Sequence, residues 1–580
     1  MFKLARYLRY FKKEVIIGPF FKLLEAVFEL IVPLVMASII DIGIKNKDTA
    51  YVLQRGGIIL LLGFMGLIFA LICQYCAARA SQGFGTMVRN DLYAHINSFS
   101  HAELDLFGTD TLINVLTNDI NQMQLAVAML IRLVVRVPFL IIGAIVMSMI
   151  LDLKLSVIFL IVAPLVSAVL YLIMKKSVPF YKARQKKLDK VSLITRESLS
   201  GARVIRAFSK QEHEIERFKR ANDEVADIAI SVGKISAFLN PATFAILNIA
   251  ILTILWFGGI RVNEGSLTQG EVVAFTNYIT QISLALVVFA NLVVIFTKAA
   301  ASAARINNVF ETVPTLTDKA GDRSNLSSEE LTDTGLDGYP LISFENVSFA
   351  YPGTDKYALE DINIDINEGE IVGIIGGTGS GKSTLVNLLP RFYDVSKGVI
   401  KIKGKPVQDF SIDSLRKIFG LVPQKAVLFS GSISDNIRYY KEDATMEEIK
   451  WAIEIAQAKD FVERLPNGYD TIIRQGGKNL SGGQRQRITI ARALVRNPKI
   501  LILDDSFSAL DYATDANLRE ALKKNLKNTT VIMVSQRANT IKNADKIIVL
   551  DDGKVAGIGK HEDLYRSCHV YKEICDSQIS

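Results

Sequence analysis

The sequence predicts a membrane all-α domain of six transmembrane helices with long cytosolic helical extensions, followed by an α/β domain of the P-loop type. Half of the 580 residues are hydrophobic, and the long apolar runs crowd into the first half of the chain. The remainder has ordinary soluble composition and carries a Gly-rich loop of fixed spacing between a strand-like and a helix-like stretch. The expected boundaries are 1–311 for the membrane domain, 312–340 for a linker and 341–580 for the α/β domain. The linker is rich in Thr, Ser, Asp and Gly and has no apolar period.

Six apolar segments, near 15–40, 56–80, 127–151, 153–174, 238–262 and 271–297, are long enough for a bilayer core, which takes about 20 helical residues each. The first contains Lys22, Glu25 and Glu29 and no small-residue cleavage site, so it is expected to stay as a span rather than leave as a signal peptide. Lys3, Arg6, Arg9, Lys12 and Lys13 precede it, and Lys175, Lys176, Lys182, Arg184, Lys186 and Lys187 follow the fourth span. Positive charge marks the cytoplasmic side, so both termini are expected there. The outer connections are short. The inner ones are long, poor in Pro and patterned as helix. From Gly56 to Ile150 the chain uses about 95 residues, enough for two helices of about 70 Å each at 1.5 Å per residue, so they should protrude well beyond the membrane. Machinery carried into the cytosol is one reason for that length, and a structural hairpin is another.

Leu4, Tyr7, Leu8 and Phe11 against Lys3, Arg6, Arg9 and Lys12 predict an elbow helix lying on the inner leaflet. Lys22, Glu25 and Glu29 share one helical stripe. A Lys22–Glu25 pair is one reading; Glu29, and with it Glu25, is also a candidate for a substrate cavity that recognises cationic, amphipathic cargo. Arg132 and Arg136 are expected to meet lipid headgroups.

Gly376-Gly377-Thr378-Gly379-Ser380-Gly381-Lys382-Ser383 fits G-x-x-x-x-G-K-[ST], follows Ile371–Ile375 and precedes a helix-like run beginning at Thr384. Such glycines let backbone N–H groups close around phosphate oxygens at a helix N-terminus. Lys382 is placed to reach the β- and γ-phosphates, and the Ser383 hydroxyl to ligate Mg²⁺. A second strand, Ile500–Leu503, ends in Asp504, where a carboxylate holds Mg²⁺ through water.

With Leu480-Ser481-Gly482-Gly483-Gln484 between the two, the chain resembles the ATP-binding-cassette family over essentially its full length, as a half-transporter of the type IV exporter arrangement. The resemblance implies ATP and Mg²⁺ as cofactors. It makes Tyr351 the ring that stacks on adenine, and Gln424 the Q-loop glutamine that touches Mg²⁺ and relays nucleotide state. Asp511, in Ser508-Ala509-Leu510-Asp511, becomes the D-loop residue at a dimer seam. Two cassettes of this family meet head to tail, so Ser481, Gly482, Gly483 and Gln484 would close on ATP held by a second chain. Glu197, Gly201 and Phe208 resemble the second intracellular loop, whose short helix docks in a cassette groove; an ordinary amphipathic helix is the alternative. The first loop's counterpart is expected near Thr109–Asp119.

Two departures stand out. After Asp504 the family usually has Glu, which polarises the attacking water; here it is Asp505, one methylene shorter. A misplacement of about 1 Å costs roughly a hundredfold. After Thr530–Val534 the family has a switch His on the γ-phosphate; here Gln536 supplies a neutral amide that cannot become cationic. His561 lies beyond that switch and does not replace it. Gln475, before the signature, also departs from the common Glu. Drift within one slow enzyme and a division of labour with a competent partner both fit; the intact Lys382, Ser383, Asp504, Tyr351 and Gln424 favour the second.

The expected function is therefore a subunit of an ATP-driven exporter of hydrophobic or amphipathic substrates, multidrug or lipid-like, working by alternating access. Its partner is a second half-transporter carrying the catalytic Glu and switch His, in a bacterial inner membrane and in contact with lipid. A homodimeric lipid or peptide exporter and an ATP-gated channel or sensor are the alternatives. The net charge of +8 is accounted for by inner-face Lys and Arg, so no nucleic-acid partner is expected. Cys73 and Cys76 have no further ligands nearby, which argues against metal, and Cys568 and Cys575 are expected to stay reduced.

Overall fold

The computed structural model describes residues 2–316 and 339–578, so most of the expected linker lies outside the described residues. It divides into two compact units, Met1–Asn97 with Thr109–Thr312, and Ser98–Gly108 with Val313–Ser580.

The first unit is helical, and six stretches in it are long and apolar enough to cross a membrane: Lys3–Ile44, Thr49–Asn97, Thr109–Leu151, Leu153–Ser200, Gln211–Asn263 and Gln269–Glu311. Thr49–Asn97 is an unbroken helix of 49 residues, about 73 Å at 1.5 Å per residue, as the length of the inner connection predicts. The return is less regular, with wider π-turns at Val115–Asp119 and Leu130–Val134. Local chemistry sets several helix starts. Asp152 accepts the Leu155 N–H at 2.8 Å, and Thr268 and Glu271 form a capping box. Small residues lie at the helix contacts: Ala26, Ala80, Ala144 and Ala274 are fully buried, which lets backbones approach closely.

Contacts within this unit bear on three expectations. Arg136 is engaged within the protein rather than free for headgroups: its guanidinium bonds Glu29 at 2.6 Å, an ion pair in which each charge meets its opposite between two apolar helices. Lys22 pairs with Glu25 at 2.7 Å, which is one of the two readings of that stripe. The N-terminal segment is a 3₁₀ helix over Phe2–Phe11 whose Leu4 and Tyr7 are buried in the protein, with the Tyr7 hydroxyl donating to Asp91 at 2.7 Å. Two of its apolar residues are therefore packed within its own domain, while Tyr10 stays exposed.

The second unit is α/β. Antiparallel β1 (Ile342–Phe349), β2 (Leu359–Ile366), β4 (Lys397–Ile402) and β5 (Lys405–Pro406) form one sheet in the order β2-β1-β4-β5. The central sheet runs β12-β11-β3-β10-β9-β6, formed by β3 (Ile371–Gly376), β6 (Phe419–Val422), β9 (Ile500–Asp504), β10 (Thr530–Val534), β11 (Lys546–Asp551) and β12 (Lys554–Gly559). β7 (Gly431–Ser432) pairs with β8 (Ile472–Ile473) alone. β9 and β10 are buried along their whole length, as parallel strands covered on both faces must be.

Ser98–Gly108 follows the second span in sequence yet packs within this α/β unit. The contact lies at the short helix His101–Phe107, and not at Thr109–Asp119 where the first loop's counterpart was expected. Ser100 and Glu103 start that helix with a capping box. Burial raises the Glu103 pKa, but hydrogen bonds from Ser100 and Thr315 outweigh this and hold it low.

Candidate nucleotide site

Parallel strands place the site. β3, β10, β9 and β6 are neighbours running the same way, so the loops at their carboxyl ends meet on one edge. β3 leads into the Gly-rich loop, β10 into Gln536, β9 ends in Asp504 and Asp505, and β6 leads to Gln424. Four motifs spread over about 160 residues of chain thus become adjacent, which is the work of the sheet order.

The Gly-rich loop needs its glycines. A Cβ at Gly376 would lie 2.1 Å from the Leu550 carbonyl oxygen. At Gly381 the backbone is left-handed, with φ +95°, and a Cβ would meet Leu359 at 2.7 Å. The helix that follows begins at Lys382, two residues before Thr384. Lys382 folds back on the loop, its Nζ donating to the carbonyls of Gly376 at 2.9 Å and Gly377 at 2.6 Å. Burial lowers its pKa, against the opposing pull of Asp505 and Asp504. An anionic phosphate is the natural replacement for two neutral carbonyls.

The Ser383 hydroxyl donates to Asp504 at 3.0 Å. Burial raises the Asp504 pKa, the Ser383 bond lowers it, and the neighbouring Asp505 raises it further. A hydroxyl and a buried carboxylate held together, with excess negative charge beside them, are a donor set that fits Mg²⁺.

Asp505 also sits with its pKa raised by burial, opposed by its bond from Gln424. That bond, Gln424 Nε2 to Asp505 Oδ2, is long at 3.4 Å. The Asp505 backbone is left-handed, φ +44°, a conformation Asp tolerates better than most residues. Gln536 is exposed at the end of β10. Tyr351 bonds Thr384 hydroxyl to hydroxyl at 3.0 Å and meets Phe349 and Tyr393 edge to face, at 5.0 and 5.4 Å.

Ser481 caps the helix Gly482–Leu494. Its hydroxyl accepts the Gln484 N–H at 3.2 Å, while the Gln484 side chain accepts the Ser481 N–H at 2.8 Å. Each side chain accepts the other residue's backbone N–H, which leaves the Ser481 hydroxyl, the Gln484 amide group and the backbone N–H groups of Gly482 and Gly483 as donors in an exposed first turn. Asp511 caps the helix Tyr512–Asn525 by accepting from Thr514 at 2.9 Å. His561 bonds the Tyr571 hydroxyl at 2.8 Å, away from the phosphate loop's motifs in the sheet order.

Sequence reasoning missed the surroundings of Tyr351. Tyr393 touches its ring, donates its hydroxyl to Asp105 at 2.8 Å and lies 5.9 Å from the His101 ring, which itself stacks on Phe392 at 4.4 Å. Burial and Asp105 hold the Tyr393 pKa high, and burial and Arg416 hold that of His101 low. A Phe-Tyr pair ten residues past the phosphate loop carries no motif signal, so only the fold shows it. Glu197 pairs with Arg217 at 2.7 Å. Gly201 ends one helix and starts the next, Ala202–Ala207, beyond which Phe208 is 71% exposed.

The chain matches two family models, the ABC transporter transmembrane region over residues 15–286 and the ABC transporter domain over 359–508. An uncharacterised ABC transporter ATP-binding protein of Bacillus subtilis, YfiB, is 39% identical over 96% of this chain and 95% of its own length. The ATP-dependent lipid A-core flippase of Hahella chejuensis is 32% identical over 87% and 85%. An ATP-bound bacterial Atm1-family ABC exporter has the same fold, with a TM-score of 0.81, 25% identity and 98% coverage of each chain. The chain belongs to the ABC transporter family. It is a multi-pass integral membrane protein of exporter type, with an ATPase domain of that family.

Proposed function

We propose that this chain is the degenerate-site subunit of a heterodimeric exporter: it holds ATP at its own phosphate loop and completes the hydrolytic site of a different half-transporter with its Ser481–Gln484 signature. The observation that carries this reading is the composition of one sheet edge. Lys382, Ser383 and Asp504 stand ready to grip phosphate and Mg²⁺, whereas the two residues for water activation and γ-phosphate contact are Asp505 and Gln536.

Mg²⁺, held by Ser383, Gln424 and Asp504, would neutralise charge on the phosphates. Lys382 binds the phosphate oxygens, Tyr351 stacks on adenine, and Asp505 orients water only weakly because its carboxylate stops short. A proton acceptor lost from position costs about 10²–10⁴-fold, so turnover falls to the partner's Glu and His. The exposed Phe208 and Val204 around Ala202–Ala207 offer an apolar tip to a cassette groove, in keeping with a chain that works only in a pair. ATP-driven closure and its release turn the cavity outward and reset it, moving hydrophobic or amphipathic cargo from the cytoplasm. The lipid-like end of that range draws support from the relative named as a lipid A-core flippase.

The test is Mg-ATP hydrolysis by the chain alone in lipid, beside an Asp505→Glu/Gln536→His version. Near-zero turnover with tight ATP binding, restored by the double change, supports the reading. Robust turnover by the unchanged chain means a homodimer in which Asp505 suffices. Sustained uphill transport with the partner present excludes a channel or sensor, which would instead show passive flux under bound non-hydrolysable ATP.

A further inference from the structure

The switch loop is held from two sides. Between Ser535 and Arg537 the chain turns sharply, the Ser535 hydroxyl accepting the Arg537 N–H at 2.9 Å. On one side the Arg537 guanidinium lies over the Tyr512 ring at 5.5 Å and reaches the Ser508 carbonyl at 3.4 Å, which ties the loop to the D-loop. On the other side stands Gln578. Its Nε2 donates to the Gln536 carbonyl at 2.7 Å, and its Oε1 accepts the Ala538 N–H at 2.8 Å.

One amide side chain therefore takes up the backbone acceptor of the switch residue itself and a backbone donor two residues on, as a strand neighbour would. Its own position is secured by the helix His569–Asp576. Tyr571 and Cys575 of that helix are buried in the same apolar cluster as Ala538 and Ile541, and the Tyr571 hydroxyl is tied to His561. Beyond the helix, Ser577 and Gln578 close the end by donating their N–H groups to Glu573 at 3.0 Å and Cys575 at 3.1 Å, which aims Gln578 at the loop.

We infer that Gln578 is a positioning residue for the switch loop, setting the backbone of Gln536 and thereby how long this site retains a nucleoside triphosphate. The inference rests on the proposed placement of Gln536 at the γ-phosphate. It adds that the turn after the helix His569–Asp576, which carries no nucleotide motif, takes part in nucleotide retention.

The experiment uses the full chain in lipid nanodiscs and a fluorescent, non-hydrolysable ATP analogue, mant-adenylyl imidodiphosphate, whose release is followed after a chase with unlabelled ATP. Gln578→Ala is expected to speed release about fivefold, the scale of one net hydrogen bond, with an unchanged thermal midpoint. Gln578→Glu keeps the acceptor for Ala538 but loses the donor to Gln536, and is expected to behave like the Ala variant. In a Gln536→Ala background the Gln578 change should add nothing, because the two act as a unit. Unchanged release in both single variants, or an equal acceleration with and without Gln536, overturns the inference. Since the probe cannot be hydrolysed, high turnover by the chain alone would end the degenerate-site reading without touching this one.

Discussion

Two halves of one sheet edge differ in kind. At the phosphate-gripping half, Lys382, Ser383 and Asp504 are buried or nearly so, bonded at 2.6 to 3.0 Å, and already beside one another. At the hydrolytic half, Asp505 reaches Gln424 only at 3.4 Å, and Gln536 stands exposed, its backbone rather than its side chain being what the structure fastens. On the proposed reading, the difference separates binding from turnover. Binding needs charge and backbone donors arranged in advance, whereas turnover needs one carboxylate within about 1 Å of its working place.

The comparison breaks most readily at Lys382. Lys382→Ala removes the charge that meets the phosphates and should weaken Mg-ATP binding about a hundredfold, the scale of a charge-assisted bond; calorimetry on the full chain checks it. Retained binding would mean that the backbone loop alone grips. Next in size, Asp505→Glu by itself should raise the chain's own hydrolysis at least about tenfold, as part of the loss tied to misplacement is restored, measured by phosphate release. If the left-handed backbone at 505 rejects Glu, a lowered thermal midpoint will show it. Tyr351→Ala should then weaken ATP about tenfold, with inorganic triphosphate unaffected, since base stacking is worth about 1–3 kcal/mol.

The smallest effect sharpens the electrostatics. The Asp504 pKa is raised by burial, so its folded-state charge is a cost that is fully present above that raised pKa, fades as pH falls through it and is gone below the unfolded value. Asp504→Asn should therefore raise the thermal midpoint of the nucleotide-free chain at pH 7.5, with the gain shrinking toward pH 4, while it weakens Mg²⁺-dependent ATP binding. A midpoint that does not move, or a gain that grows on acidification, would show that the carboxylate carries no such cost.

Most of the proposed nucleotide site is legible in the sequence because its motifs are contiguous. A glycine at 376 or 381 and a Lys-Ser pair after it announce a phosphate loop whatever surrounds them. The six spans were equally legible, since hydrophobic length is a local property. Partners were not. Arg136 was read as a headgroup contact because its mate, Glu29, lies more than 100 residues away in sequence. The first intracellular contact is expected more than two helical turns too late, at 109–119, because the His101 stack on Phe392 is visible only once Ser98–Gly108 packs within the α/β unit.

By itself the sequence determined the family architecture, the phosphate-loop motif and the residues standing at 505 and 536, because each is written in neighbouring residues. The tertiary structure alone decided which charges cancel in the membrane unit, that Tyr351 joins Tyr393, Asp105 and His101 in one cluster, and that Gln578 closes on the switch loop. Those pairings join residues from about 40 to about 300 positions apart. No periodicity or spacing specifies such contacts; they follow from the order of strands in the sheet and the packing of helices against it.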